Sequence, residues 1–408
     1  MKSLMKWIPS TRVLGLCRKT NNVCFSWLLY LAITAFLGFL IQMQLKFAMK
    51  LIADGNKHVF HFDQNQDDST RNVIISGYAK GGGNVVGEVL GSRPETFYAY
   101  EPLITMAESY YFKNSSTMCT TFLDTCFKST LTDTALDTLR NVLACSNINI
   151  GEEYHQKWDT GGEVWLKYHE CLLDKEYSKE FCDKYLSHQC KRATVKVIKS
   201  ERMSTELLGT LLREHSNVSV VHMFRDPRGI LFVNRKSPAL SSLSSASGLK
   251  KYASSLCSRM RDDLKAGLEL ATLYPKRFKL MLFEDFRLDM VTVLRPLFRF
   301  LGLPLATNDK NLVEIVELKK ALAKYNREAG HNAAVDIEQL RLDTEDSKLT
   351  KVHPFSWRKE IDMKMLKIID EFCGDLYVKL GYNTYENVKK LRDLTNWPSY
   401  GGGGIYPL

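Results

Sequence analysis

Val73-Ile74-Ile75-Ser76-Gly77-Tyr78-Ala79-Lys80-Gly81-Gly82-Gly83-Asn84-Val85-Val86-Gly87-Glu88-Val89-Leu90 divides into three pieces. Val73 to Ser76 is a short, largely β-branched apolar run ended by Gly77, the pattern of a buried strand. Lys80-Gly81-Gly82-Gly83-Asn84 is a glycine turn. Val85, Val86, Val89 and Leu90 then recur at helical spacing, which places a helix start at or near Asn84. Strand, glycine turn and helix, in that order, open an α/β unit.

The same alternation continues downstream. Ala193–Lys199 and Val218–Phe224 read as strands, and so does Phe278–Phe283. Helices are expected over Met203–His215, 249–273 and Met290–Leu301. A long amphipathic one carries Ile361, Met365, Ile369, Phe372, Leu376 and Leu380 and stops at Gly381. Strands alternating with helices predict a parallel sheet with helices on both faces, a P-loop-like arrangement. Such sheets bind ligands at the carboxyl ends of their strands. Residues 105–190 read as helical or irregular, and the serine-rich stretch 237–248 as a mobile loop.

Two motifs fall at strand carboxyl ends. In Lys80–Asn84, glycines allow positive φ and let backbone N–H groups approach an anion, the following helix adds its positive dipole end, and Lys80 adds a point charge. A triphosphatase loop is excluded, because that loop needs Gly-Lys-Ser/Thr at its end and here the lysine precedes the glycines. A dinucleotide fingerprint is excluded by the spacing of Gly81, Gly83 and Gly87. The second motif, Arg225-Asp226-Pro227-Arg228, ends an apolar strand, and an arginine fork suits phosphate oxygens. Taken alone, each also fits a plain turn or a surface ion-pair cluster. His222, inside its strand, reads as a satisfied core histidine.

The rest of the chain sets the context. Of 408 residues, 45% are hydrophobic and 25% charged, an ordinary globular balance. The net charge is +10, but Lys2, Lys6, Arg12, Arg18 and Lys19 precede any acid, and the remainder of the chain is only mildly basic. With no zinc-finger spacing, RNA-binding signature or long basic run, nucleic acid is excluded as a partner. Phe25–Met43 is uncharged and, at about 1.5 Å per residue, reaches about 30 Å, enough for a membrane span. Its positive upstream flank orients it as an uncleaved signal anchor with the N-terminus cytosolic. The expected organisation is a cytosolic tail over 1–24, a transmembrane segment over 25–43, a stem over 44–71, a lumenal domain over 72–385 and a tail over 386–408. Eight cysteines lie beyond the anchor, Cys119, Cys126, Cys145, Cys171, Cys182, Cys190, Cys257 and Cys373, and an even number in an oxidising lumen implies disulfides. No metal is expected, as zinc-ligand spacing is missing. Sequons at Asn114 and Asn217 agree with a lumenal address.

An ordered series of motifs resembles the Golgi carbohydrate 6-O-sulfotransferase family, of N-acetylglucosamine, galactose and chondroitin type. Lys80–Glu88 occupies the place of that family's 5′-phosphosulfate loop and Val-Gly-Glu helix. Phe97-Tyr98-Ala99-Tyr100-Glu101-Pro102-Leu103 matches its aromatic stretch and Glu-Pro-Leu. Val221–Arg228 resembles its 3′-phosphate motif. Phe283-Glu284-Asp285, Phe298–Pro304, Trp357-Arg358 and Leu380-Gly381-Tyr382 come next as landmarks.

The resemblance implies a Golgi type II membrane protein with the sulfotransferase fold. It would transfer a sulfuryl group from 3′-phosphoadenosine-5′-phosphosulfate (PAPS) to a sugar hydroxyl, the 6-OH of a glycan or glycosaminoglycan, without a metal. A binding protein of the same fold is the alternative. A homodimer is left open. The residues implied for the donor are Lys80, Gly81, Gly82, Gly83, Asn84, Arg225 and Asn234. Lys80 would also stabilise the leaving oxygen, and Glu101 would act as base.

The chain departs from the family at the loop hydroxyls, replaced by Gly81, Gly83 and Asn84. It departs again at the usual serine and arginine, replaced by Val233 and Asn234. Three readings stand at the second place: Asn234 substitutes for the serine, a one-residue bulge realigns Arg235, or 3′-phosphate binding is weakened.

Overall fold

Five parallel strands bring the glycine turn and the arginine motif to one sheet edge. The structure, a computed structural model, describes residues 70–148, 163–236, 245–303 and 353–395. In chain order the elements are β1 (Arg71–Ser76), α1 (Gly83–Gly91), β2 (Thr96–Tyr100), β3 (Tyr110–Asn114), β4 (Thr117–Thr120), β5 (Cys126–Lys128) and α2 (Leu131–Ala144). Then come α3 (Glu163–Leu173), α4 (Lys179–Arg192), β6 (Val195–Ser200), α5 (Thr205–Glu214), β7 (Val218–Phe224), α6 (Pro227–Arg235) and α7 (Ala246–Leu273). The last are β8 (Phe278–Leu282), α8 (Phe283–Leu288), α9 (Met290–Leu301), a 3₁₀ turn (Ser356–Lys359), α10 (Met363–Leu380) and α11 (Val388–Arg392).

The main sheet runs β2-β6-β1-β7-β8, with every pair parallel. β1 is its central strand, and Val73, Ile74 and Ile75 are fully buried because both faces are covered. Val73 and Ile75 pack with Val86, Val89 and Leu90 of α1 and with Leu294, Leu297 and Phe298 of α9. On the other face lie α5 against β7 and α7 against β8. Each such aliphatic chain contributes about 1.5–3 kcal/mol by leaving water. Helix α1 sits unusually close to β2. A Cβ at Gly87 would stand 2.5 Å from the Tyr98 hydroxyl, and one at Gly91 2.7 Å from its ring.

The four strands and the helices expected from the sequence are present, so the chain has an α/β fold with a helix-flanked parallel sheet. Three expectations need correction. Phe97–Tyr100 is a fifth strand of the main sheet. The stretch 105–190 is not merely helical or irregular, since β3, β4 and β5 form a separate antiparallel sheet. Of the expected loop over 237–248, residues 237–244 lie outside the described residues, while 246–248 are helical: Ser245 caps α7, its hydroxyl accepting from the Gly248 N–H, and the helix begins at Ala246.

The eight cysteines from Cys119 to Cys373 are all paired, as Cys119–Cys126, Cys145–Cys190, Cys171–Cys182 and Cys257–Cys373. Cys257–Cys373 clamps α7 to α10. Within the stretch expected as a tail, Leu391 of α11 is buried, and the Lys390 and Leu391 carbonyls, with that of Asp393 just after the helix, accept from the Arg358 guanidinium. Residues 25–43 lie outside the described residues, among which no helix is long and apolar enough to cross a membrane.

Candidate active site

The carboxyl ends of the five parallel strands set the site. After β1 the chain turns at Tyr78–Gly81, where the Gly81 N–H donates to the Tyr78 carbonyl at 2.7 Å. Lys80 then adopts φ 62°, a left-handed conformation that costs a non-glycine residue about 1–2 kcal/mol, and its side chain is exposed. Gly82 follows at φ 94° as the cap of α1. A Cβ there would lie 2.0 Å from Cδ2 of Phe283, so the missing side chain lets that ring rest on the loop. Among the loop's last amides, Val85 bonds back to the Gly82 carbonyl at 3.1 Å. Those of Gly82, Gly83 and Asn84 have no acceptor among the described residues, as expected for a helix start. With the dipole of α1 behind them, they form an anion cradle.

Arg225 leaves the end of β7 and reaches the same loop. Its Nη1 donates to the Lys80 carbonyl at 2.6 Å, and the guanidinium stacks 4.5 Å from the Phe283 ring centroid. Its Nε is buried with no partner. Burial lowers the pKa of Arg225, with Glu284 and Asp226 opposing. Beside it, Glu284 accepts from the Asp226 N–H at 2.9 Å and from the Tyr382 hydroxyl at 2.8 Å. Burial and the Asp226 charge push Glu284 up to about 7. Arg228 plays another part: it is fully buried, paired with Asp226 at 2.8 Å, and stacked on Tyr377.

Asn84 and Asn234 differ in availability. Asn84 Nδ2 donates to the Tyr100 hydroxyl at 3.4 Å, while its buried Oδ1 has no donor. Asn234 is 2% exposed, and its Nδ2 is committed to the Ala79 carbonyl at 3.3 Å and the Tyr252 hydroxyl at 2.8 Å. It therefore holds the loop from beneath. α6 runs unbroken to Arg235, with no bulge, and Arg235 turns toward Met365 and Asp362.

Glu101, the residue the resemblance implies as base, is enclosed and paired. It is 1% exposed; Oε1 accepts from Lys199 Nζ at 2.5 Å and from the Glu201 N–H at 2.9 Å, and Oε2 accepts from Arg202 at 2.5 Å. Glu101 thereby fixes two cations where β2 and β6 end. Lys199 also donates to Glu201 at 2.5 Å, and a Cβ on Gly83 would lie 3.6 Å from its Cε, so this ammonium borders the glycine loop. Burial alone would lower the pKa of Lys199, but Glu101 and Glu201 outweigh it and raise it. Burial would raise the pKa of Glu201; Lys199 and Arg202 reverse that and hold it low. Its side chain keeps 17% exposure, against 2% for Glu101.

Sequence reasoning missed Lys199, Glu201 and Arg202. The available signal was a strand, Val195–Ser200, ending in a Lys-Ser-Glu-Arg cluster at the ligand-binding edge. His222 is the core histidine expected: it is fully buried, 3.0 Å from Thr205 Oγ1 and 3.2 Å from the Tyr78 hydroxyl. Among the described residues no cluster fit to hold a metal occurs.

Comparison with known proteins adds three findings. A family profile described as the sulfotransferase domain matches residues 70–393. A search of curated proteins finds no match. Among solved structures, the sulfotransferase domain of the curacin biosynthetic pathway is 13% identical at a TM-score of 0.39, covering 77% of this chain and 99% of its own. That of the Synechococcus PCC 7002 olefin synthase is 13% identical at 0.38, covering 79% and 100%. The mouse sulfotransferase SULT7A1 complexed with PAP is 13% identical at 0.35, covering 81% and 91%.

Proposed function

Because the chain belongs to the sulfotransferase domain family, whose members use PAPS as donor, we propose that it sulfates a hydroxyl, the 6-OH, of a glycan or glycosaminoglycan sugar. We place it in the Golgi membrane, anchored by residues 25–43 with the domain lumenal. The observation that carries the donor reading is the meeting of two motifs 145 residues apart, Arg225 donating to the Lys80 carbonyl. The residues present fit an anionic nucleotide. Three unpaired amides, an exposed lysine and a part-paired arginine face one loop, and a Cβ on Gly82 would fill the cradle. The four disulfides support the lumenal address.

When bound, PAPS supplies the sulfuryl group that passes to the acceptor oxygen. The chain's part is positioning and charge, as in phosphoryl transfer. Gly81, Gly82, Gly83 and Asn84 hold the 5′-phosphosulfate, and Lys80 and Lys199 stabilise charge building on the leaving oxygen. Arg225 binds the nucleotide's phosphate, with Asn234 maintaining the loop. The acid–base role expected for Glu101 falls to the carboxylate pair around Lys199. Glu201, ionised and nearer solvent, takes the hydroxyl proton, and Glu101 orients Lys199. A donor- or glycan-binding protein without transfer is the second reading, favoured by the absence of side-chain hydroxyls at positions 81, 83 and 233.

The test incubates the full-length chain with ³⁵S-labelled PAPS and a panel of sugars. Label incorporated by wild type and lost in Lys80→Ala and Arg225→Ala supports transfer. Donor binding with no label on any acceptor supports the second reading.

A further inference from the structure

The ladder between β1 and β6 ends at the pair Ser76 and Ser200. One residue on, the two chains part. Gly77 leads into the glycine turn, and Glu201 carries the carboxylate given the base role above. Arg259 of α7 closes that gap. Its Nη2 lies 2.8 Å from the Glu201 carbonyl, 3.4 Å from that of Gly77 and 3.3 Å from that of Met203. The guanidinium thus stands where the next rung of the ladder would be. It is also held in place. Arg259 is 4% exposed, and its guanidinium lies 5.1 Å from the Tyr78 ring centroid and 4.1 Å from that of Tyr111. Asp263 Oδ2, 3.4 Å from Nε, balances the charge. That carboxylate is itself fixed by the Tyr78 hydroxyl at 3.1 Å and the Thr205 N–H at 2.7 Å. Packing and bonds of this kind lock a side chain in one rotamer. A plain core ion pair would need Asp263 alone. It would not need three carbonyls, two of them on the residues that open the glycine turn and bear the base.

We propose that Arg259 is a positioning residue for sulfuryl transfer: by tying the Glu201 main chain to Gly77, it fixes the separation between the Glu201 carboxylate and the glycine loop. It acts through those two residues and not on donor or acceptor. This deepens the function proposed above and rests on Glu201 taking the hydroxyl proton. The charge of Arg259 bears on the same carboxylate. Burial raises the pKa of Glu201, and Arg259 joins Lys199 and Arg202 in holding it low.

The test measures kcat of the full-length chain against pH, with ³⁵S-labelled PAPS and whichever sugar takes most label from wild type. Rates are divided by the fraction of protein that binds adenosine 3′,5′-bisphosphate, so partial unfolding is not read as lost catalysis. Arg259→Lys keeps a charge beside Asp263, but its single nitrogen cannot serve Asp263 and the carbonyls together. Its corrected kcat should fall about 10²-fold, the scale of a 1 Å misplacement, with the KM for PAPS nearly unchanged. Arg259→Met removes the charge, so the acid limb of its profile should move to higher pH, where the less stabilised carboxylate ionises. In Arg259→Lys the limb should stay. A merely structural arginine would lower the binding fraction and leave corrected kcat and limb in place, and that result overturns the proposal. Should neither variant fold, Tyr111→Leu strips one ring from the guanidinium and keeps its donors. Its corrected kcat should still fall, and a kcat equal to wild type overturns the proposal. Full turnover in Glu201→Gln removes the base reading. An inactive Glu201→Gln beside unchanged Arg259 variants removes the positioning role alone. Label on no sugar removes transfer itself, and the positioning role with it.

Discussion

Arg225 donates to the backbone oxygen of Lys80 at 2.6 Å, while Lys80 itself sits at φ 62° with its ammonium exposed. The arginine thus holds the loop through the main chain and leaves the lysine's charge free for a ligand. Arg225→Ala removes both the loop tie and a charged donor. Affinity for adenosine 3′,5′-bisphosphate should fall about 10- to 100-fold, since hydrogen bonds to charged groups are worth about 1.5–3 kcal/mol. Arg225→Lys should recover only part of it, because an ammonium lacks the fork and the stacking on Phe283. Equilibrium titration checks both.

Lys80 offers a trade between stability and function. Lys80→Gly relieves a left-handed residue and should raise stability by about 1 kcal/mol in urea unfolding. The same change deletes the charge proposed to stabilise the leaving oxygen, so turnover should drop by at least about 10-fold. Lower stability, or unchanged turnover, contradicts the geometry assigned to the loop.

Gly82 is the loop position least able to carry a side chain. Gly82→Ala meets Phe283 at 2.0 Å and forces alanine to φ 94°. It should destabilise the domain by about 2 kcal/mol or more and abolish donor binding. Adding Phe283→Ala removes the clash but neither the backbone strain nor the lost platform under Arg225. The double variant should therefore remain binding-deficient, as a urea series with parallel titrations will read.

The fold was legible where chemistry is local. Val73–Leu90 carries strand, turn and helix within 18 residues, and Gly381, at φ 73°, ends α10 where the sequence placed the stop. The hidden parts depend on distant partners. β2 is an aromatic run without alternation, made a strand by pairing with β6. β3, β4 and β5 have only three to five residues each and are held by mutual pairing and the Cys119–Cys126 bridge. Lys196 and Lys199 fall on opposite faces of β6, and by residue type alone each would be expected at the surface. In the structure they are buried because Lys196 finds the Leu143 carbonyl and Lys199 finds Glu101 and Glu201. No pattern within β6 reveals those partners.

The two carboxylates around Lys199 should separate by phenotype. Glu101 is enclosed and bonded to two cations, so Glu101→Ala leaves charges buried and should cost about 3–5 kcal/mol in urea unfolding. Glu201→Gln keeps the shape of the more exposed member. It should lower kcat by about 10²- to 10⁴-fold, the range for a lost general base, with bisphosphate affinity nearly unchanged. Full turnover in Glu201→Gln would return the base role to another group.

His222 supplies a pH test independent of turnover. Burial lowers it from 6.5 to about 4, with Asp263 opposing. Tyr78 donates to Asp263 at 3.1 Å, so its oxygen accepts from His222 Nε2–H, and Nδ1 is left to accept from Thr205. The unfolded chain takes up a proton below pH 6.5, whereas the folded one resists until about pH 4. Stability from this group is therefore full above 6.5 and declines as pH falls to about 4. At the usual 1.36 kcal/mol per pH unit, the loss is on the order of 3 kcal/mol. His222→Gln cannot titrate. Its urea midpoints should start lower at pH 7.5, for want of the native network, and fall less steeply than wild type between pH 6.5 and 4. Parallel slopes across that window would mean that the imidazole is protonated in the folded core.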